Sequence, residues 1–206
     1  MKKIIGAIIA KNQDELDKLI SKEKGYVDGI QLDIIDGKFA DNESLNFDFL
    51  IKDNVSTEAH LMVEDPVSWI KKNSDKVETV IIHYESNYFG NALKLARRKG
   101  KKVGLALKIS TPVDKIRDYL ERVDQVLIMS VELGFYGGRF VPEALEKVKE
   151  IKRINPELKV EVDGGINDKT IRMAAEAGAD LFVVGSYLAN SKNVKDDVKN
   201  LRKHLK

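Results

Sequence analysis

The chain has 206 residues, of which 43% are apolar and 33% are charged, and its net charge at pH 7 is only +2. This length suits one substantial core, and the nearly balanced charge gives no electrostatic footprint for nucleic-acid binding. Because the chain has no cysteine, disulfides, thiolate metal sites and a cysteine nucleophile are excluded.

Short apolar segments rich in β-branched residues alternate with segments of helical periodicity. Strands are predicted at approximately residues 3–10, 28–34, 56–62, 78–84, 102–108, 124–130, 158–163 and 180–185. Helices are predicted at approximately residues 12–24, 46–52, 66–73, 88–99, 112–121, 141–154, 168–177 and 191–205.

Eight strand–helix pairs favour an α/β fold of the closed (β/α)8 type, the TIM barrel, over an open doubly wound sheet, which does not need eight units. No linker or change in composition marks a boundary, so residues 1–206 are expected to form a single barrel domain. No segment approaches the ~20 apolar residues that span a bilayer. We therefore expect a cytoplasmic protein that binds neither membranes nor nucleic acid.

The second and third predicted strands each carry a side chain that could do chemistry near their carboxyl ends. These are Asp33, with Gln31 on the same face of its strand, and His60, which has apolar neighbours. In a barrel all strands open at one mouth, so these side chains would converge there. Alone, Asp33 could cap a turn and His60 could pack in the core; their predicted proximity favours a functional role.

The next strand ends leave alternatives open. His83 could line the pocket or pack in the core, and Lys108 could reach solvent or supply positive charge to a reacting group. Residues 134–138, with three glycines and two aromatic side chains, suit a lid better than an ordinary turn. His204, among lysines of the last helix, is expected to be solvated.

Glycine-rich turns follow the last two strands. Asp163 precedes Gly164 and Gly165, and Gly185 and Ser186 follow the eighth strand. Loops at these two places are the usual phosphate site of the TIM barrel, because glycine lets a phosphate approach backbone N–H groups closely. The mouth therefore combines carboxylates, an imidazole and a candidate phosphate cradle, as in an enzyme for a phosphorylated substrate.

These residues resemble the ribulose-5-phosphate 3-epimerase family, and the resemblance extends over nearly the whole chain. It is carried by five segments in order: Leu32-Asp33-Ile34-Ile35-Asp36-Gly37-Lys38-Phe39, Ala59-His60-Leu61-Met62-Val63-Glu64-Asp65-Pro66, Val126-Leu127-Ile128-Met129-Ser130-Val131, Val162-Asp163-Gly164-Gly165-Ile166-Asn167 and Gly178-Ala179-Asp180-Leu181-Phe182-Val183-Val184-Gly185-Ser186. The resemblance implies an isomerase that interconverts ribulose 5-phosphate and xylulose 5-phosphate.

The resemblance also implies roles for individual residues. Asp33 and Asp163 match the two aspartates that remove and return a proton on opposite faces of the substrate, through an enediolate. It implies a divalent metal ion (zinc, iron, manganese or magnesium) held by Asp33, His60 and Asp163, with Gln31 as a further ligand. Contacts with the sugar phosphate are implied for Met62, Met129, Gly134, Gly137, Gly138, Gly164, Gly165, Gly185 and Ser186.

The sequence departs from the family pattern at several positions. Gln31 stands where the family has a metal-binding histidine, and a neutral amide oxygen is a weaker ligand than imidazole for zinc or iron. Ala7 replaces a serine, Ile35 replaces a methionine, and Glu132-Leu133 replaces an asparagine-proline pair. We expect weaker metal binding and a preference for harder ions.

Three functions stay open at this point: a 3-epimerase with an altered metal site, a related barrel enzyme that acts on another phosphorylated ketose or without a metal, and a non-catalytic sugar-phosphate-binding paralogue. Asp33, His60 and Asp163 are all retained, which favours the epimerase over simple decay. A homo-oligomer is also expected.

Overall fold

The computed structural model describes residues 1–133 and 137–205 of the chain. Its strands are β1 (Lys3–Ile8), β2 (Gly29–Asp36), β3 (Glu43–Ser44), β4 (Thr57–Met62), β5 (Thr79–His83), β6 (Lys102–Leu107), β7 (Gln125–Met129), β8 (Lys159–Asp163) and β9 (Leu181–Val184). The α-helices are α1 (Gln13–Glu23), α2 (Pro66–Asn73), α3 (Phe89–Arg98), α4 (Leu145–Ile154), α5 (Ile171–Glu176), α6 (Ser186–Ala189) and α7 (Val194–Lys203). Short 3₁₀ helices cover Ser74–Lys76, Val113–Tyr119 and Pro142–Ala144.

The strands form the closed parallel barrel that the sequence predicts. Neighbours follow the order β1-β9-β8-β7-β6-β5-β4-β2, and pairing of β1 with β2 closes the ring. β3 is a two-residue strand that pairs antiparallel with the end of β2. All predicted barrel strands are present, and their ends differ from the prediction by at most two residues.

Helix starts follow the local signals in the sequence. The Asn12 side chain accepts a hydrogen bond from the backbone N–H of Glu15 at the start of α1, at 2.9 Å. Asp65 does the same for Ser68 at the start of α2, where Pro66 occupies the first turn. Such caps satisfy N–H groups that have no partner inside the helix.

Two helix predictions are wrong. Residues 46–52 form no helix, because apolar side chains recur there at every second position rather than at helical spacing. Leu45 and Phe49 are buried and Phe47 packs against the core, while the residues between them are exposed. The predicted helix at 112–121 is instead the 3₁₀ helix Val113–Tyr119.

The main hydrophobic core lies between the outside of the barrel and the surrounding helices. Along β2, for example, Ile30, Leu32 and Ile34 belong to this outer core, so Gln31 and Asp33 face the barrel interior. No helix in the described part of the chain is long and apolar enough to span a bilayer.

Among the described residues, the barrel interior holds two small apolar clusters, one around Leu127 and one around Val183. Several polar side chains occupy the rest of the interior, and all of them are buried: Gln31, Asp33, Glu58, His60, His83, Gln125, Glu161 and Asp163. They form a polar column that runs from the mouth, at the carboxyl ends of the strands, towards the opposite end of the barrel.

Candidate active site

Asp33, His60 and Asp163 meet inside the mouth of the barrel. Parallel pairing of β2 with β4 places Asp33 beside His60, and Asp163 ends β8. The Nδ1 atom of His60 lies 3.3 Å from Asp33 Oδ1 and 3.3 Å from Asp163 Oδ2. One ligand atom from each residue lies within 4.8 Å of the others, which is close enough for a single divalent ion.

The environment of this cluster changes the pKa values of Asp33 and His60. Burial raises the pKa of Asp33, and the nearby charge of Asp163 also raises it, against the hydrogen bond from His60. Burial alone would lower the pKa of His60, but hydrogen bonds and charges of Asp163 and Asp33 outweigh burial and raise it to about 9. A buried carboxyl group with a raised pKa beside a second carboxylate is typical of proton-transfer sites.

Gln31 lies between the two carboxylates. Its Nε2 atom donates to Asp33 Oδ1 at 2.9 Å and to Asp163 Oδ2 at 2.8 Å. The side chain is fully buried, and Oε1 has no hydrogen-bond partner among the described residues. Rotation of the amide by half a turn would exchange its nitrogen and oxygen, so either an N–H group or a ligating oxygen can face the aspartates.

His83 is buried behind His60 rather than in the cavity. The two Nε2 atoms are 2.9 Å apart, and His83 Nδ1 lies 3.1 Å from Glu85 Oε2. Burial lowers the pKa of His83 to about 4. Burial would raise the pKa of Glu85, but hydrogen bonds from His83 and Thr111 lower it to about 2. Sequence reasoning left His83 open and missed Glu85, whose position two residues after His83 was the available signal.

A cavity of about 50 Å³ lies above the cluster at the mouth. Both aspartates line it, together with most of the residues expected to contact substrate: Met62, Met129, Gly137, Gly138, Gly164, Gly165, Gly185 and Ser186. Gly134, also expected there, lies outside the described residues, as does most of the expected lid. Ala7, Val131 and Glu132 line the cavity as well, although no contact was expected for them.

The glycines after β8 cannot be replaced without a clash. Gly164 has φ of 112°, and a Cβ atom there would lie 2.4 Å from Val131 Cγ2. Gly165 has φ of 66°, and its Cβ atom would lie 2.9 Å from Phe140 Cβ. Both glycines line the cavity, and because neither has a side chain, a phosphate group can approach the backbone of this turn closely.

Lys108 and His204 lie apart from the cavity lining. Lys108 Nζ is 4.0 Å from the centre of the Phe39 ring, and this ring lies 5.0 Å from that of His83. Phe39 thus contacts both the half-buried Lys108 and the His83 ring. His204 lines a separate surface cleft with Lys2, Arg172 and Lys203.

Comparisons with known proteins agree with this architecture. Residues 3–189 match the model of the Ribulose-phosphate 3 epimerase family. A ribulose-phosphate 3-epimerase of Schizosaccharomyces pombe is 32% identical over 97% of this chain and 92% of its own length. One from Mycobacterium tuberculosis is 37% identical over 77% of this chain and 74% of its own.

Among solved structures, 3-hexulose-6-phosphate synthase from Salmonella typhimurium has a TM-score of 0.74 and 16% identity, with 98% of each chain covered. That likeness supports the barrel fold alone. The match over residues 3–189 and the identity to whole relatives go further: the chain belongs to the ribulose-phosphate 3-epimerase family of isomerases.

Proposed function

We propose that the chain interconverts ribulose 5-phosphate and xylulose 5-phosphate by inverting the configuration at C3. The observation that carries this proposal is that Asp33 and Asp163 line the same cavity as the glycine-containing turns after β8 and β9. Two carboxylates supply a base and an acid, and the turns supply backbone N–H groups for a phosphate. The two relatives described above are named ribulose-phosphate 3-epimerases, which supports the proposal.

The phosphate binds at the turns that contain Gly164, Gly165, Gly185 and Ser186. Attachment at one end fixes the distance between the phosphate and the reacting carbon, so that C3 lies between the aspartates. Met62 and Met129 line the cavity beside them and exclude water from the reacting carbon.

The reaction is a proton exchange between two faces of C3. One aspartate removes the C3 proton, and the electron pair left behind forms the C2–C3 double bond of an enediolate while negative charge moves to the oxygen on C2. The other aspartate, protonated, then gives a proton to the opposite face of C3, and the ketone forms again. Burial raises the pKa of Asp33, which supports a role as the acid in one direction.

The residues at this site fit a divalent ion. Asp33, His60 and Asp163 offer ligand atoms within 4.8 Å of one another, and Gln31 has a buried oxygen without a partner among the described residues. These four side chains would hold the ion. When bound, it would polarise the substrate carbonyl as a Lewis acid and stabilise the enediolate charge. Compared with a set that contains two imidazoles, three oxygens and one nitrogen shift the preference towards harder ions such as manganese or magnesium, while zinc still binds.

The test is exchange of the C3 proton of ribulose 5-phosphate with solvent deuterium, followed by NMR. Protein treated with EDTA is compared with protein supplied with manganese, magnesium or zinc. We expect exchange, and formation of xylulose 5-phosphate, that depends on added metal. Exchange that survives chelation would contradict the proposed role of the metal ion. Absence of exchange with every metal would contradict the proposed 3-epimerase activity.

A further inference from the structure

A line of hydrogen bonds leads from His60 away from the cavity, and the proposed proton transfers do not use it. His60 Nε2 lies 2.9 Å from His83 Nε2, and His83 Nδ1 lies 3.1 Å from Glu85 Oε2. Both imidazoles have no solvent exposure. Each step joins ring nitrogens or a carboxylate at hydrogen-bond distance, so the position of the proton at each step is constrained by its neighbours.

Glu85 is held in place from the other side. Its Oε1 atom accepts from the backbone N–H of Lys108 at 3.0 Å and from the hydroxyl of Thr111. Lys147 fixes that loop, because its Nζ atom donates to the carbonyls of Lys108, Ile109 and Thr111 at 2.8, 2.6 and 2.6 Å. A carboxylate with these donors is an acceptor only, so the Nδ1 atom of His83 carries the proton that points to Glu85.

The contact between the two imidazoles holds a single proton. Two N–H groups cannot point at each other across 2.9 Å, so one Nε2 atom donates and the other accepts. If the Nδ1 atom of His60 coordinates a cation through its lone pair, neutral His60 carries its proton on Nε2. His83 must then accept that proton on its own Nε2, which agrees with a proton on Nδ1 facing Glu85.

We propose that His83 and Glu85 are positioning residues that fix the tautomer of His60, so that its Nδ1 lone pair faces Asp33 and Asp163. The inference rests on the proposed function, because it takes the site between these aspartates to hold a divalent ion. A partner that fixes the tautomer of an imidazole ligand raises its affinity for metal. Here His60 is the one imidazole that reaches the aspartates among the described residues, so its orientation matters more than it would beside a second one.

The first measurement is the tautomer of each imidazole in the zinc-loaded protein, by NMR of protein labelled with ¹⁵N-histidine. The chain has three histidines, and His204→Gln removes one signal and assigns it. We expect His83 with its proton on Nδ1 and His60 with its proton on Nε2 and a metal-shifted Nδ1. A proton on His83 Nε2, or on both of its nitrogens, would overturn the proposal.

The second measurement is zinc affinity, by competition with a chelator, in Glu85→Gln, in His83→Phe and in the double variant. We expect each single change to weaken zinc binding by about 10- to 100-fold, with the KM for ribulose 5-phosphate little changed because the glycine turns are untouched. Since Glu85 acts through His83, the double variant should bind no more weakly than His83→Phe alone. Additive losses, or unchanged affinity in Glu85→Gln, would overturn the proposal.

Glu64→Gln is the matched control. Glu64 lies two residues after the end of β4, as Glu85 lies two residues after the end of β5, but its side chain is exposed. Its zinc affinity should equal that of the wild type. Wild-type protein that binds zinc with the expected tautomers but turns over no ribulose 5-phosphate would reject the proposed function and keep the positioning roles. Wild-type protein that binds no zinc would overturn the positioning roles.

Discussion

At Gln31 a neutral amide lies where two carboxylates approach each other. Its Nε2 atom donates to both Asp33 and Asp163, so it offsets part of their mutual repulsion without adding a charge. The same side chain is a weak metal ligand compared with imidazole. Residue 31 therefore influences both the pKa of Asp33, where its hydrogen bond opposes the effect of burial, and the affinity for an ion.

Gln31→His should tighten binding of a divalent ion by about an order of magnitude, because imidazole is a stronger ligand than an amide oxygen. Isothermal titration of the EDTA-treated protein with manganese and zinc measures the gain. His60→Gln, which replaces an imidazole by an amide, should do the reverse. Equal affinity in Gln31→His would show that residue 31 does not contact the ion.

Asp33→Asn and Asp163→Asn should each lower the rate of C3 proton exchange by about 10² to 10⁴-fold, the usual contribution of a general acid or base. Each change keeps the shape of the side chain and removes its capacity to accept a proton. Circular dichroism and thermal unfolding check that the fold is retained. Near-normal exchange in either variant would contradict the mechanism with two aspartates.

Much of this site could be predicted from the sequence because its residues stand at strand ends. Asp33, His60 and Asp163 each come near the carboxyl end of a short apolar run, and the closed barrel brings such ends together. The contacts of Gln31 and Glu85 could not be predicted, because they depend on rotamers and on a loop fixed by Lys147. The spacing of residues along a strand identifies the face on which each side chain lies, but it does not determine the hydrogen-bond partner of that side chain.

At the scale of single elements, the helix prediction fails in the segment from Leu45 to Ile51 because apolar residues there recur at every second position. Four apolar residues alternate there with polar or exposed ones, which is the period of an extended chain. The segment also carries Asn, Asp and two Phe residues, which are weak helix formers. Hydrogen bonds between the Gln13 side chain and the backbone of Leu50 hold it against α1. The alternation of strands and helices in a barrel predicts a helix here, whereas the local spacing of apolar residues predicts an extended chain.

Gly164→Ala should destabilise the fold by about 1–3 kcal/mol and raise the KM for the sugar phosphate. The residue has a positive φ, and a Cβ atom would lie 2.4 Å from Val131 Cγ2, so the turn must shift. Urea unfolding and steady-state kinetics measure the two effects. Gly90→Ala is the control, since a Cβ atom there has no neighbour within 4 Å among the described residues and alanine favours a helix. Equal behaviour of the two variants would contradict a tight turn after β8.

At the scale of the whole molecule, three buried glutamates limit stability at alkaline pH. Glu58 and Glu161 share the end of the barrel opposite the mouth, where Gln125 Nε2 donates to both at 3.2 and 2.7 Å. Burial raises the pKa of each. Glu23, at the end of α1, is also buried, and burial raises its pKa to about 8. Neither carboxylate oxygen of Glu23 has a hydrogen-bond partner among residues 1–133 and 137–205.

Glu23→Leu should stabilise the protein most above pH 8. The folded state holds the Glu23 proton more tightly than the unfolded state, whose pKa is 4.5. The stability that protonation contributes is therefore complete below 4.5 and is lost as the pH rises through about 8. Urea unfolding of both proteins across this range should show a difference that grows with pH to about 1–3 kcal/mol. A difference independent of pH would contradict a buried, titrating Glu23.

The space for Glu23 comes from Gly6 of β1. A Cβ atom at Gly6 would lie 1.9 Å from Glu23 Oε2, so the glycine and the carboxyl side chain fit each other. Neither residue type alone predicts this contact, because it joins a strand to the end of the following helix.

The expected homo-oligomer and the expected cytoplasmic location both stay predictions. Analytical sedimentation of the purified protein checks the oligomeric state.

The polar column through the barrel has a consequence for the evolution of residues in the barrel interior. Because the two apolar clusters described in the interior are small, most hydrophobic stabilisation comes from the shell between strands and helices. Selection can therefore exchange one interior polar residue for another while the outer shell maintains the barrel. Gln31, which the resemblance predicts to stand at a histidine position of the family, would be such an exchange. The lineage can acquire new ion preferences or substrates at its centre without first acquiring a new scaffold.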